Sequence, residues 1–150
     1  MRALGVDFGS RRIGVAVSSG TVASPYDMVE RSGDVALDHR RLLALAAEAE
    51  VDVIVVGMPF SLDGSMGPAA QGIESELAEL RCSTSIPIET YDERLTTVTA
   101  ARLLQEAGVK GKARRQLIDK MAAAVLLQAW LDGRPSTSSE TGLQPPDRSE

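Results

Sequence analysis

The sequence is poor in several chemistries, and each shortage excludes something. It has one cysteine, Cys82, in 150 residues. A single thiol makes no internal disulfide and no cysteine-based zinc cluster, and it fits a reducing compartment. Its plain reading is a small hydrophobe. Aromatic residues are only 3% of the chain, at Phe8, Tyr26, Phe60, Tyr91 and Trp130, too few for an obvious base-stacking platform. The one histidine, His39, lies between Asp38 and Arg40 and reads as a solvated surface residue rather than a catalytic base. No apolar run approaches the ~18 residues of a membrane span. Met1-Arg2 leads directly into a strand-like run, without a signal-peptide h-region. Positive charge is also short overall: the net charge is −5, so this is not a globally basic nucleic-acid binder. Local patches can still bind, and Lys110, Lys112, Arg114, Arg115 and Lys120 face only one acid, Asp119, in their segment.

What is present is an ordinary globular composition, 43% hydrophobic and 25% charged, enough for one domain with a real core. Strands are expected at 2–8, 12–19, 22–31, 53–56 and 86–91, the first three as a hairpin meander. Helices are expected at 35–50, from Leu42, Leu43, Ala46 and Ala49, at 68–80, from Thr96 or Thr97 to Ala107, and at 113–131. Pro68 suits a first helical turn and Gly108 a helix end. The segment 133–150, rich in Ser, Thr and Pro, is expected to be a disordered tail beyond a domain at 1–132. The order βββ-α-β-α-β-α-α implies an α/β fold: a mixed five-stranded sheet with helices on both faces, a three-layer sandwich.

Acids mark the candidate site. Asp7 interrupts "LGVDFGSRRIGVAV" (Leu4 to Val17) near the end of the first strand. Asp92 and Glu93 follow the strand "IPIETY", and Asp119 sits in the alanine-rich helix "LIDKMAAAVLL". Sites in open α/β sheets gather beyond the strand carboxyl ends, where Asp7 and the Asp92-Glu93 pair can meet. Carboxylates brought together raise one another's pKa values unless a cation lies between them. Mg²⁺ or Mn²⁺ suits such oxygen ligands, and a pair of these ions can activate water and stabilise the leaving oxygen of a phosphodiester. Each acid also has a plainer reading: Asp7 as a turn former, Asp92 as a helix-entry acid, Asp119 as the i,i+4 partner of Arg115.

Two further features have both readings. "GMPFSLDGSMGP" (Gly57 to Pro68) joins a strand to a helix; its amides can line a phosphate groove, or it is a connector. It lacks the lysine of a P-loop. Arg11, Arg12 and Arg94, with Lys110, Lys112, Arg114 and Arg115, are candidate phosphate contacts, or a solvated basic face.

Four motifs in order resemble the YqgF family, also called RuvX. They are "VDFGSRRIGVAVS" (6–18), "VVGMPFSLDGSMGPAAQ" (55–71), "YDERLTT" (91–97) and "IDKMAAAVLLQAWLD" (118–132). Together they span essentially the whole chain except its tail. The resemblance implies a ribonuclease-H-like fold and a metal-dependent nuclease site with acids at Asp7, Glu93 and Asp119. It also implies a cytoplasmic bacterial protein that matures the 5′ end of pre-16S rRNA. Related Holliday-junction resolvases carry their second acid after the fourth strand, which here ends in Gly57-Met58-Pro59. Asp92 or Glu93, one strand later, must substitute; Glu93 is favoured, with Asp92 left to orient water or ligands. Alternatives are resolution of four-way DNA junctions, which needs a homodimer rather than a monomer, an ATP-using enzyme, and a non-catalytic RNA-binding assembly factor.

Overall fold

The structure, a computed structural model, describes residues 1–60, 63–93, 108 and 111–134, with the backbone alone at 111–120. The helix expected between Thr96 and Ala107, and the tail beyond Arg134, lie outside the described residues. Five strands form one sheet: β1 (Ala3–Phe8), β2 (Arg12–Ser19), β3 (Val22–Glu30), β4 (Val53–Met58) and β5 (Ile88–Asp92). Their order is β3-β2-β1-β4-β5. The hairpin pairs β1–β2 and β2–β3 are antiparallel, and β1–β4 and β4–β5 are parallel. The helices are α1 (Val35–Glu48), α2 (Pro68–Cys82) and α3 (Gly111–Asp132). The expected mixed five-stranded sheet is therefore present, with expected and observed boundaries differing by a few residues at most.

Period-two alternation in β1 divides the core. Leu4, Val6 and Phe8 pack with Leu42 and Ala46 of α1 and Ile73, Leu77 and Leu80 of α2. Ala3 belongs to the other face, with Val53, Val55, Ala123, Leu127 and Trp130. Every residue of β4 is buried, which explains its unbroken run "VIVVGM": covered on both sides, it has no solvent face to make polar. Three layers result, with α1 and α2 on one face and α3 on the other.

Helix α3 lies unusually close to the sheet. A Cβ on Gly5 would stand 2.8 Å from Leu127 Cβ and 2.9 Å from the Ala123 carbonyl oxygen. Polar contacts fix the helix at both sheet edges. The Gln128 side chain accepts from the Ala23 amide (2.9 Å) and donates to the Thr21 carbonyl (3.0 Å), while Trp130 Nε1 donates to Glu89 (3.2 Å).

His39 corrects the sequence reading. It is 3% exposed, not solvated, and neighbouring Asp38 is 1% exposed. Both are held inward by polar partners, His39 by one from a distant segment and Asp38 by one from the turn before its helix. His39 Nε2 lies 2.9 Å from Glu76 of α2, and Asp38 accepts from the Ser32 hydroxyl at 2.8 Å. Local charge around His39 could not reveal a partner 37 residues away.

The Gly5 contact yields a stability test. Gly5→Ala forces α3 off the sheet and is expected to destabilise by about 1–3 kcal/mol. Urea denaturation reads this as a lower midpoint at unchanged slope; an unchanged midpoint would mean that the helix is not seated on this glycine.

Candidate functional site

The parallel arrangement of β1, β4 and β5 brings their carboxyl ends to one edge of the sheet. Asp7 is the penultimate residue of β1 and partly buried. Its cross-strand partner in β2 is Gly14. On the other side Val6 pairs with Val56, so the register carried one residue further sets Gly57 beside Asp7. The carboxylate thus stands in a lane flanked by two glycines. Below the lane α3 presses on Gly5; at Asp7 the missing side chains leave room above the sheet.

Glu93 fills part of that room. It follows β5, on the far side of β4 from Asp7, and its side chain lies over Gly57. A Cβ on Gly57 would come within 2.8 Å of Glu93 Cγ and 3.1 Å of its Cδ. Any other residue at position 57 would therefore displace the glutamate. Crossing above β4, Glu93 reaches Asp7: burial, then the charge of Asp7 and a hydrogen bond with it, then the charge of Asp92, raise its pKa to about 7. Asp92 itself pairs with Met58, which packs on the α1–α2 face, whereas Asp7 and Glu93 lie on the α3 face.

The remaining candidates divide. Arg11 and Arg12 are exposed on the turn after Asp7, and Arg12 makes a loose ion pair with Glu30 at 4.0 Å. Asp119 lies in α3, one helical turn before Ala123, the residue that packs beside Gly14. Lys112, Arg114 and Arg115 lie in the first turns of the same helix. The side chains of these four are outside the described residues, as are Arg94 and Lys110 altogether.

The sequence reading missed the group that anchors the turn after Asp7. Gly9 closes this turn so tightly that a Cβ would stand 2.6 Å from the Arg12 carbonyl oxygen. Arg31, just beyond β3, holds it from outside. Its amide donates to the Arg11 carbonyl (2.9 Å) and its Nε to the Gly9 carbonyl (3.0 Å). The same guanidinium donates in bidentate fashion to Glu76, at 2.7 and 3.1 Å, and lies 5.5 Å from the centre of the Phe8 ring. Burial alone would push the Glu76 carboxyl up, but the hydrogen bonds from Arg31 and His39 outweigh it and hold the group below the usual carboxylate range. Three segments that do not carry the acids are thereby tied to the one that carries Asp7.

Glu93 generates a pH prediction. Its folded pKa lies above its unfolded value, so the native state holds the extra proton between about pH 4.5 and 7 and loses stability as pH rises through that window. Glu93→Gln removes this penalty. The melting temperature of the variant, relative to wild type, is expected to rise between pH 4 and pH 8 in metal-free buffer. A difference that does not change with pH would show that neither burial nor Asp7 raises the Glu93 pKa.

Comparison with known proteins agrees with this architecture. The family described as "RuvX: Holliday junction resolvase" matches residues 1–133. A Geobacillus kaustophilus protein named "Putative pre-16S rRNA nuclease" is 45% identical over 139 residues, covering 89% of this chain and 99% of its own. A Rhodococcus erythropolis protein of the same name is 46% identical over 140 residues, covering 89% of this chain and 78% of its own. Among solved structures, RuvC of T. thermophilus in complex with a Holliday junction substrate superposes with a TM-score of 0.57 at 17% identity, over 88% of this chain and 95% of that one. At that identity the likeness speaks for the ribonuclease-H-like fold alone. With its sheet, its motifs and nearly its whole described length accounted for, the chain belongs to the RuvX family.

Proposed function

We propose that this chain is a divalent-metal-dependent nuclease that cleaves structured RNA, the 5′ extension of a 16S rRNA precursor being its substrate. The observation that carries the reading is the meeting of Asp7 and Glu93 over Gly57, with Glu93 held at a pKa of about 7. Two carboxylates in this position repel, and a hard cation between them replaces a proton at neutral pH. Their oxygen donors fit Mg²⁺ or Mn²⁺. Among the described residues no group of three or more histidine, cysteine or acid side chains forms a ready metal cluster. Asp119, placed by α3 one turn before Ala123, is the third ligand in this reading.

A bound divalent ion supplies the activation of water and the stabilisation of the leaving oxygen in phosphodiester hydrolysis. The chain supplies position. Asp7 is held by strand backbone and by the turn that Arg31 anchors, so the acid does not have to be ordered when substrate arrives. Burial and Asp7 do most to raise the Glu93 pKa, and the charge of Asp92 adds to them. Arg11 and Arg12, exposed after Asp7, are cations for the flanking phosphates in this reading, and Arg94, Lys110, Lys112, Arg114 and Arg115 extend that basic set. The names of the relatives support RNA as the substrate. We place the chain in the cytoplasm, and among its described residues no helix is long and apolar enough to cross a membrane. Residues 1–132 are the nuclease domain in this reading, with 133–150 as its tail.

Four-way DNA junctions are the second reading, favoured by the description of the family that matches the chain. Junction resolution requires a dimer presenting two sites, whereas RNA processing allows a monomer.

One assay separates them. A 5′-extended 16S precursor fragment and a synthetic four-way junction are offered to wild type and Asp7→Asn with Mg²⁺ or Mn²⁺. Cutting of the RNA alone, falling to background in Asp7→Asn, is the expected outcome. Cutting of the junction alone would replace the RNA reading, and activity unchanged in Asp7→Asn would overturn the assigned site.

A further inference from the structure

A cleft of about 580 Å³ opens beside Glu93 and the turn that follows Asp7. Its volume falls in the range of pockets that hold small ligands, about 300–1,000 Å³. Glu93, Arg31 and Glu76 line it, and Pro59, Pro68 and Ile73 supply apolar wall. The cleft runs from the strand ends toward the first turns of α2, away from the face where α3 packs.

Gly72 is the informative residue. It lies inside α2, where glycine weakens a helix relative to alanine. At Gly5 and Gly57 close neighbours leave no room for a side chain. At Gly72 a Cβ would meet no atom of the described residues within 4 Å. Packing therefore does not require this glycine. The space left open is the cleft itself, which Gly72 lines. A side chain here would take up volume that the cleft otherwise keeps for a ligand.

The lining chemistry selects what enters. Among the described lining residues Arg31 is the one cation, and its guanidinium is committed to Glu76 and to the Gly9 carbonyl. Glu76 is in turn taken up by Arg31 and His39, so a phosphate entering the cleft would meet the Glu93 carboxylate with no uncommitted cation among the described lining residues to balance it. A flat, uncharged ring bearing N–H donors suits the apolar wall and the carboxylate edge instead. We propose that this cleft is a subsite for one unpaired nucleobase of the nucleic-acid strand whose phosphate lies at Asp7 and Glu93. The strand's position rests on the nuclease reading above. A base within a duplex is stacked and has its edge occupied, so only an unpaired or extruded base enters. The subsite thus makes unpaired nucleotides beside the cleavage point part of what the protein recognises.

The test uses binding, so that it does not depend on catalysis. Fluorescence anisotropy in EDTA compares a labelled single-stranded oligoribonucleotide with a fully paired duplex of the same sequence. The proteins are wild type, Gly72→Ala and Gly72→Leu, with melting temperatures measured alongside. Gly72→Ala is expected to melt higher than wild type, because it strengthens the helix without touching a neighbour. Gly72→Leu is expected to bind the single strand roughly tenfold more weakly while melting no lower than wild type and binding duplex as before. Ala69→Leu, one turn away on the same cleft, is expected to show the same loss and serves if Gly72→Leu does not fold. Wild-type affinity for the single strand in the folded leucine variants would overturn the subsite, as would an equal loss for the duplex. If wild type cuts no substrate with Mg²⁺ or Mn²⁺ but the leucine variants still lose the single strand selectively, the nuclease reading fails and the base subsite stands.

Discussion

The site depends on one steric allowance: Glu93 lies across β4 because residue 57 has no side chain. β5 is separated from β1 by a full strand, so an acid after β5 is badly placed to meet an acid in β1. With Cβ absent at Gly57, the glutamate passes over the backbone of β4 and reaches Asp7. The strand that lies directly between them carries no acid and provides the space instead. Its energetic consequence is a carboxyl that is buried and set against a like charge, visible as a Glu93 pKa of about 7. Structures seldom retain such repulsion unless something positive or a proton resolves it.

The surrounding architecture serves that contact from two sides. On the α3 face, the helix is pressed to the sheet at Gly5 and secured at its edges by Gln128 and Trp130, so its distance from Asp7 is fixed. On the opposite face, the Arg31–Glu76–His39 group ties the turn after Asp7 to α2 and α1. A half-buried bidentate pair of this kind is weak as a source of net stability but strict in its geometry. Its value here is to leave the Asp7 turn one conformation.

Much of this was legible in the sequence because it is periodic. Alternation in β1 and β2, the unbroken apolar run of β4 and the apolar face of α2 each announce their element and its burial. The motif glycines and acids announced a site, and the resemblance to resolvases implied that, with no acid after β4, one from another strand must serve. What the sequence could not carry was long-range pairing. Nothing near His39 or Arg31 signals Glu76, 37 and 45 residues away, so His39 looked like a surface residue. Asp92 and Glu93 were hard to separate because adjacent residues differ only in which face they address. Strand register supplies that difference by pairing Asp92 with Met58. Gly72 was silent for another reason: a glycine kept for empty space resembles any other exposed helix position.

The most direct test of this account is the metal affinity of Gly57→Ala, measured by titrating Mn²⁺ and following the free ion by electron paramagnetic resonance. The added methyl group overlaps Glu93 Cγ and Cδ and leaves both acids in the chain. The account predicts that Gly57→Ala folds, keeps Asp7 and Glu93, and yet binds Mn²⁺ at least about tenfold more weakly than wild type. Equal affinity in the two proteins would contradict it, because the carboxylates would then be holding the ion without meeting over Gly57.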